Sequence, residues 1–192
     1  MEKGFELFST KGIGPVTMQE VADASGYGVA TLYRYFLSKG ELVIAVAAWK
    51  WDEYLKTKLR PETDELSGAE RFRSYLDSFL DLYRYHKDLL CFTQFLNIYL
   101  RSEHPGPDVI KPYRDTIRDL ELRFREVYKK ALSDHTLRTD IPEKIMFSTT
   151  LHLMLAAVTR YAVGLVYEPE AGYDPEPELV FLCDSIMEKY KN

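Results

Sequence analysis

Residues 7–42, LFSTKGIGPVTMQEVADASGYGVATLYRYFLSKGEL, contain the pattern that decides the fold of the N-terminal part of the chain. The stretch MQEVADAS predicts a short helix over residues 18–25 that buries small apolar side chains. Gly26 and Tyr27 follow it, and glycine supplies the positive φ of a tight turn without steric cost. A second short helix is predicted over residues 29–36. The spacing alone therefore predicts a helix-turn-helix.

The predicted helix 29–36 has two different faces when its residues are placed at 100° intervals. Leu32 and Phe36 cluster with Val29 on the side expected to pack, and Tyr33 lies at its edge. The outward side combines a small residue with a hydroxyl, a guanidinium and a phenol: Ala30, Thr31, Arg34 and Tyr35. Hydroxyl groups bond phosphate oxygens, and arginine reaches O6 and N7 of guanine, so this face suits a DNA groove.

The same stretch resembles the N-terminal domain of the TetR family of bacterial transcriptional regulators. The resemblance covers about 36 residues, and the identities and their spacing agree together. The matching positions are Leu7-Phe8, Gly12, Thr17, Val21-Ala22, Ala24, Gly26, Thr31-Leu32-Tyr33, Tyr35-Phe36 and Lys39. The remainder of the chain resembles that family only in being a helical bundle.

The resemblance implies a homodimer whose third helices enter successive major grooves of a palindromic operator. It implies that one set of residues holds phosphates: Thr17, Thr31, Tyr33, Tyr35 and Lys39. It implies that a second set faces bases: Gly28, Val29, Ala30 and Arg34. Lys39 also lies at a predicted helix start, where free N–H groups and the helix dipole favour a phosphate.

Two departures from the family pattern predict a reduced affinity for DNA. Gly28 stands where the family usually has serine, so the third helix loses a side-chain N-cap, although glycine is itself tolerated there. Residue 1 falls inside the first helix, whereas relatives usually carry a further turn and a basic arm before it.

The charge distribution indicates where a polyanion could bind, and the cysteine content indicates a reducing compartment. Residues 1–40 hold four basic and four acidic residues, so the other 152 residues carry the whole net charge of −5. Any polyanion is therefore expected to dock on the N-terminal part. The two cysteines, Cys91 and Cys183, give no disulfide framework, which suits the reducing cytoplasm. The first residues lack the pattern of a secretion signal.

Helix start and stop signals predict an all-α chain of about nine helices. Three capping boxes are expected, at Thr17–Glu20, Ser38–Glu41 and Ser67–Glu70. The predicted helices lie near residues 2–11, 18–25, 29–36, 39–60, 68–87, 89–102, 108–134, 142–167 and 176–191. We expect a helix-turn-helix DNA-binding domain over residues 1–45 and a helical ligand-binding and dimerisation domain over residues 46–192.

The apolar run Ile145–Tyr167 is better explained as a buried helix than as a membrane span. Arg160 would lie inside the apolar layer at a cost of roughly 2.5–3.5 kcal/mol. We expect its buried face to contain Leu151, Leu155, Val158, Ala162 and Leu165. Helices 142–167 and 176–191 are apolar enough to need a partner, either within the chain or in a second copy. The resemblance favours a four-helix interface between two subunits.

Aromatic residues on the middle helices have two interpretations, because they can form a core or line a ligand cavity. The resemblance implies such a cavity here, and the candidate lining residues are Tyr75, Phe79, Tyr83, His86, Phe92, Phe95, Tyr99 and Tyr113. No cationic cluster accompanies these residues. We therefore expect a small apolar or aromatic inducer rather than a phosphorylated one.

Catalysis has no support in the sequence. The four histidines share no metal-binding spacing, and there is no nucleophile elbow or Gly-rich phosphate loop. Neither a cofactor nor a metal is expected. Two functions remain: a ligand-responsive DNA-binding regulator, most simply a repressor, or a helical ligand-binding adaptor that has lost DNA binding.

Overall fold

The computed structural model describes residues 1–58, 65–164 and 172–192, and these ranges contain nine helices and no β-strand. The predicted all-α class is therefore confirmed. The helices are α1 (Glu2–Lys11), α2 (Met18–Ala24), α3 (Val29–Tyr35), α4 (Lys39–Lys58), α5 (Gly68–Tyr85), α6 (Lys87–Glu103), α7 (Pro107–Asp134), α8 (Glu143–Val163) and α9 (Glu176–Tyr190).

One predicted helix end differs clearly from the structure. The sequence pattern continues the eighth helix to residue 167, but α8 ends at Val163 because Gly164 adopts a φ of 106°. That left-handed conformation stops the helix and is one that glycine accepts readily. Residues 165–167, including Leu165 of the predicted apolar face, lie outside the described residues.

The chain forms two compact units. The first unit contains Met1–Tyr54 and Asp88–Arg118, and the second contains Leu55–Lys87 and Asp119–Asn192. The domain boundary near residue 45 that the sequence predicts separates two functions, whereas these units are defined by packing. That boundary stays a prediction.

The core of the first unit forms where α1, α4 and α6 meet. The ring centroid of Phe92 lies 5.5 Å from that of Phe5 and 6.5 Å from that of Phe8. The buried Trp51 donates its indole N–H to the hydroxyl of Thr93 at 3.2 Å. That hydroxyl in turn donates to the carbonyl of Leu89 at 2.7 Å. Helices α1 and α4 therefore share a core with α6, which is distant from them in sequence.

In the second unit α5 packs against α8 and α9. A group of aromatic rings joins α5 to α7 and α8, with Phe124 at its centre. Its centroid lies 6.0 Å from Phe72, 5.3 Å from Tyr75 and 5.4 Å from Phe147. Edge-to-face ring pairs of this kind stabilise a core beyond the area that they bury.

The start of α5 is fixed by close backbone contact. The capping box of Ser67 and Glu70 forms in full, as predicted. A Cβ atom added at Gly68 would lie 2.4 Å from the Cα atom of Ala131. Only glycine permits this approach, and its N–H donates to Asp134 Oδ2 at 2.7 Å.

The buried face of α8 differs from the predicted one. Met146, Thr150, Met154 and Val158 are buried, whereas Leu151, Leu155 and Ala162 are half-buried. Of the four predicted residues that the structure describes, Val158 alone is fully buried. Because α8 is apolar around most of its circumference, residue spacing does not select a single face. None of the nine described helices is long and apolar enough to cross a membrane.

Candidate DNA-binding site

Helix α2 and the turn after it follow directly from the local sequence. The Thr17 hydroxyl accepts the N–H of Glu20 at 3.1 Å, and the Glu20 carboxylate accepts the N–H of Thr17 at 2.8 Å. This completes the predicted capping box. Gly26 adopts a φ of 73° after α2, as its place in the turn predicts. Together these features define where α2 begins and ends.

Helix α3 presents its side chains outward to an unusual degree, because none of its seven residues is fully buried. Tyr33 is 46% exposed and Tyr35 is 69% exposed. Ala30 and Arg34 are also exposed, as the helical wheel predicts. Val29, Leu32 and Phe36, the predicted packing residues, are half-buried. Thr31 was predicted to point outward and is also half-buried.

The guanidinium group of Arg34 is available to an external partner. Within the described parts of the chain it forms no salt bridge, and its Cζ atom lies 5.4 Å from the centroid of the Tyr35 ring. A guanidinium carries five N–H donors in a planar fork that fits O6 and N7 of guanine. The position and the open donors of Arg34 therefore suit base recognition.

The N-terminus of α3 lacks a side-chain cap. Gly28 is the N-cap residue, with φ −71° and ψ 143°, and no side chain bonds the first N–H groups of the helix. The predicted consequence of glycine at this position is therefore present. Nothing lies within 4 Å of the place where a Cβ atom of Gly28 would be.

Lys39 lies at the first position of α4, as predicted, but its ammonium group is held within the first unit. The Nζ atom donates to the carbonyl of Gly14 at 2.8 Å and lies 6.0 Å from the centroid of the Tyr99 ring. Burial lowers the pKa of Lys39, and the carboxylates of Glu103 and Glu20 act in the opposite direction. This hydrogen bond uses one of the three N–H donors of the ammonium group and leaves two for a phosphate.

The cap of α4 forms only in part as predicted. The Ser38 hydroxyl accepts the N–H of Glu41 at 3.2 Å, which is the expected half of the capping box. The Glu41 carboxylate accepts the N–H of Leu37 at 2.8 Å instead of the N–H of Ser38. The acid therefore fixes the backbone between α3 and α4, one residue earlier than the pattern implies.

The eight candidate ligand residues divide between the two units. Four lie in the second unit, where Tyr75 and Phe79 are buried with ring centroids 5.4 Å apart: Tyr75, Phe79, Tyr83 and His86. Four lie in the first unit: Phe92, Phe95, Tyr99 and Tyr113. Their role in ligand binding stays a prediction.

Phe92 and Tyr113, two of the candidate ligand residues in the first unit, differ in how they are buried. Phe92 is fully buried in the core with the α1 phenylalanines. Tyr113 is half-buried overall, but burial of its hydroxyl end raises the pKa of Tyr113 to about 12. The phenol therefore stays protonated and neutral at physiological pH.

Two further residues with possible roles carry no signal in the sequence. The carbonyl of Gly14 holds Lys39, and a backbone group leaves no trace in residue type. Thr150 is fully buried, and no described residue forms a hydrogen bond with its hydroxyl. Within the described ranges no cluster of three or more His, Cys, Asp or Glu side chains is placed to hold a metal ion.

The chain is similar to bacterial transcriptional regulators. Residues 1–46 match the family model of bacterial regulatory proteins, tetR family. The chain is 24% identical over 192 residues to the HTH-type transcriptional regulator YvdT of Bacillus subtilis strain 168, with 97% of this chain and 92% of the relative covered. The resemblance found in residues 7–42 is therefore confirmed.

Two solved structures resemble the whole chain in fold. One is the transcriptional regulator FadR of Bacillus subtilis in complex with stearoyl-CoA, with a TM-score of 0.73, 15% identity, and 97% and 93% of the two chains covered. The other is AibR in complex with isovaleryl coenzyme A and operator DNA, with a TM-score of 0.66, 16% identity, and 98% and 94% covered.

Replacing Gly28 by serine is expected to stabilise α3, because serine supplies the missing N-cap and the site has room for it. We expect the free energy of unfolding to rise by about 0.5 kcal/mol. Urea denaturation followed by circular dichroism measures the change. The matched control is Gly26→Ser, which puts a side chain at a φ of 73° and should destabilise the protein. Equal effects of the two substitutions would contradict the capping explanation.

Proposed function

We propose that this protein is a ligand-responsive transcriptional regulator that binds DNA through α3. The observation that carries the proposal is the outward presentation of Arg34, without a salt bridge in the described chain, between the exposed phenols of Tyr33 and Tyr35. Such a face has donors for bases and for phosphates but little apolar area that would need a protein partner. The match of residues 1–46 to a family of regulators supports the same function.

We assign a role in DNA binding to each of the candidate residues. Arg34 reads a guanine, while the small side chains around it let the helix approach the base edges: Gly28, Val29 and Ala30. The hydroxyl and ammonium groups hold phosphates: Thr17, Thr31, Tyr33, Tyr35 and Lys39. Residues 1–45 perform this recognition, and residues 46–192 bind the inducer and the second subunit.

The active form is a homodimer that binds a palindromic operator. The second unit leaves several large apolar side chains of α8 and α9 exposed: Ile145 at 54%, Leu153 at 48%, Val163 at 46% and Phe181 at 73%. Exposed apolar residues concentrated on two adjacent helices are typical of a subunit interface. A symmetric pair of these helices would form a four-helix interface and present two copies of α3 to DNA.

The inducer binds among the aromatic residues of the helical bundle and releases the protein from its operator, so the protein acts as a repressor. A buried hydroxyl without a hydrogen bond costs about 1–3 kcal/mol, and Thr150 has none among the described residues. A mainly apolar ligand with one hydrogen-bonding group would satisfy it. The acyl-CoA ligands of FadR and AibR have this character at their acyl ends.

Action on chromosomal DNA places the protein in the cytoplasm, and none of these roles requires catalysis.

The binding of DNA can be tested with three substitutions on an operator selected from random duplexes. Arg34→Ala should cost about 1–3 kcal/mol on the operator and remove the preference at one base pair in each half-site. Lys39→Ala and Tyr33→Phe should weaken operator and scrambled DNA about equally. Of these two, Lys39→Ala alone should lower the salt slope, by about one unit. Titrations at several salt concentrations, with operator, single-base-pair variants of it and scrambled DNA, measure the affinities, the base preference and the salt slope.

Each alternative outcome of these titrations has a definite meaning. If Arg34→Ala lowers both affinities equally, Arg34 binds phosphate and the specificity comes from DNA shape or the small residues. If the wild type selects no operator and none of the variants differs from it, the protein is an adaptor that has lost DNA binding.

The subunit interface can be tested by placing a charge on α8. Leu153→Glu would bury a carboxylate at a symmetric contact, and a cost of about 3 kcal/mol corresponds to a dimer roughly a hundredfold weaker. The matched control is Leu122→Glu on α7, where the leucine is 44% exposed. Sedimentation equilibrium should show a wild-type dimer, a monomeric Leu153→Glu variant and a dimeric control. Identical behaviour of both variants would refute the interface.

Replacing Thr150 by valine tests the position of the inducer. Without ligand, the change should raise the free energy of unfolding by about 1 kcal/mol, because a buried hydroxyl without a partner is removed. Thr93→Val is the matched control and should destabilise the protein, since the Thr93 hydroxyl bonds Trp51 and Leu89. Compounds that release the operator, screened with stearoyl-CoA and isovaleryl-CoA included, should act at least about tenfold less well on Thr150→Val. Unchanged potency would place the inducer elsewhere.

A further inference from the structure

A cleft of about 800 Å³ opens within the first unit, and every residue that lines it belongs to that unit. Its wall is formed by the end of α1 and the loop after it, the start of α4, the last turns of α6 and the beginning of α7. The residues on which its chemistry depends are Ile13, Lys39, Phe95, Ile98, Tyr99 and Glu103. Ligand pockets in proteins commonly have volumes of roughly 300–1,000 Å³.

One part of the cleft wall is apolar. The ring of Phe95 lies beside Gly12, because the position that a Cβ atom of Gly12 would occupy is 3.6 Å from the ring. Ile98 lies one turn further along α6 and is 57% exposed. An exposed isoleucine beside an aromatic ring in a concave wall offers apolar area that a ligand can cover.

Another part of the wall carries hydrogen-bond donors. The Lys39 ammonium lies 6.0 Å from the Tyr99 ring centroid, and the Tyr99 hydroxyl lies 3.5 Å from the position of a Cβ atom on Gly40. Burial, with a smaller contribution from Glu103, raises the pKa of Tyr99, so this hydroxyl keeps its proton. An ammonium and a phenol therefore converge at the first turn of α4, where the helix dipole also favours negative charge.

The charged groups around the Lys39 ammonium favour the binding of one anion. Lys11 pairs with Glu20 at 3.5 Å, whereas Lys39 bonds only the neutral carbonyl of Gly14 and has no carboxylate within salt-bridge distance in the described chain. Glu103 also lines the cleft and acts on Lys39 from a longer range. A dianion such as a phosphate monoester would be repelled more strongly by Glu103 than a single carboxylate.

We propose that this cleft is a binding site for a small amphipathic monocarboxylate. The carboxylate accepts hydrogen bonds from Lys39 and Tyr99, while its aromatic or aliphatic tail lies against Phe95 and Ile98. Two of the eight candidate ligand residues, Phe95 and Tyr99, line this cleft. The inducer site that we propose beside Thr150 belongs to the second unit and is a different site. Binding a carboxylate there gives Lys39 a charged partner, whereas its present acceptor is the neutral carbonyl of Gly14.

The site also has a regulatory consequence, which rests on the proposed function. Lys39 is the residue that we assign to a DNA phosphate, and a bound carboxylate would occupy the same ammonium group. The carboxylate and the operator should therefore each weaken the binding of the other by the same factor, as linkage requires. The existence of the site itself does not depend on DNA binding.

The experiment uses 4-phenylbutyrate as the probe and 4-phenyl-1-butanol as its uncharged equivalent, in isothermal titration calorimetry with the full-length protein. The acid should bind, and the alcohol should bind at least about tenfold more weakly. Ile98→Glu and Ile98→Lys form the decisive pair, because both replace the same exposed residue. The glutamate should weaken binding of the acid at least about tenfold, and the lysine should retain or strengthen it.

Further variants separate the cleft from the remainder of the molecule. Lys39→Gln should weaken binding of the acid, while the control Lys111→Gln changes an exposed lysine paired with Asp115 and should not. Equal binding by all variants would place the probe elsewhere and overturn the site. Equal losses in both Ile98 variants would overturn the carboxylate assignment.

Operator titrations with the same probe test the regulatory consequence separately. We expect 4-phenylbutyrate to reduce operator affinity in the wild type and to have no effect on Lys39→Gln. A probe that binds the cleft without altering operator affinity would overturn the regulation and leave the site in place. A protein that binds the probe but no DNA would overturn the proposed function alone.

Discussion

The packing of Phe92 against Phe5 and Phe8 is the contact on which the candidate DNA-binding site depends. Helices α2 and α3 have seven residues each, and isolated helices of this length are not stable in water. They persist because α1 packs against α2 and α2 packs against α3, while α6 packs against α1 through Phe92. The part of the chain that faces DNA is therefore held in shape by a helix about 60 residues further along the sequence.

Helix α3 occupies the least buried position of this arrangement, and its composition suits that position. It has no fully buried residue, no side-chain N-cap and an exposed aromatic face. Such an element contributes little to the stability of the fold and contributes surface instead. Its geometry is fixed by its neighbours: Gly26 sets the entry with a φ of 73°, and Glu41 holds the N–H of Leu37 after its end. Recognition chemistry on α3 can therefore vary without loss of the fold.

Features governed by neighbours in the sequence were predictable, and features governed by packing were not. The Thr17–Glu20 box and the turn at Gly26 follow from local hydrogen bonding and φ preferences. The buried face of α8 was wrong because apolar residues surround that helix and only its partners select a side. The contact of Lys39 with Gly14 was unpredictable for a different reason, since every residue offers the same backbone carbonyl.

The position of Lys39 is compatible with both roles that we propose for its ammonium group. A lysine in full contact with water gains little from exchanging one anionic partner for another. Lys39 is partly buried, and burial lowers its pKa, so a change of partner has a larger energetic effect than at an exposed site. Its present acceptor, the neutral carbonyl of Gly14, is weaker than either a phosphate or a carboxylate. The contact with Gly14 therefore defines the position of the Lys39 ammonium group and leaves N–H donors for an anion.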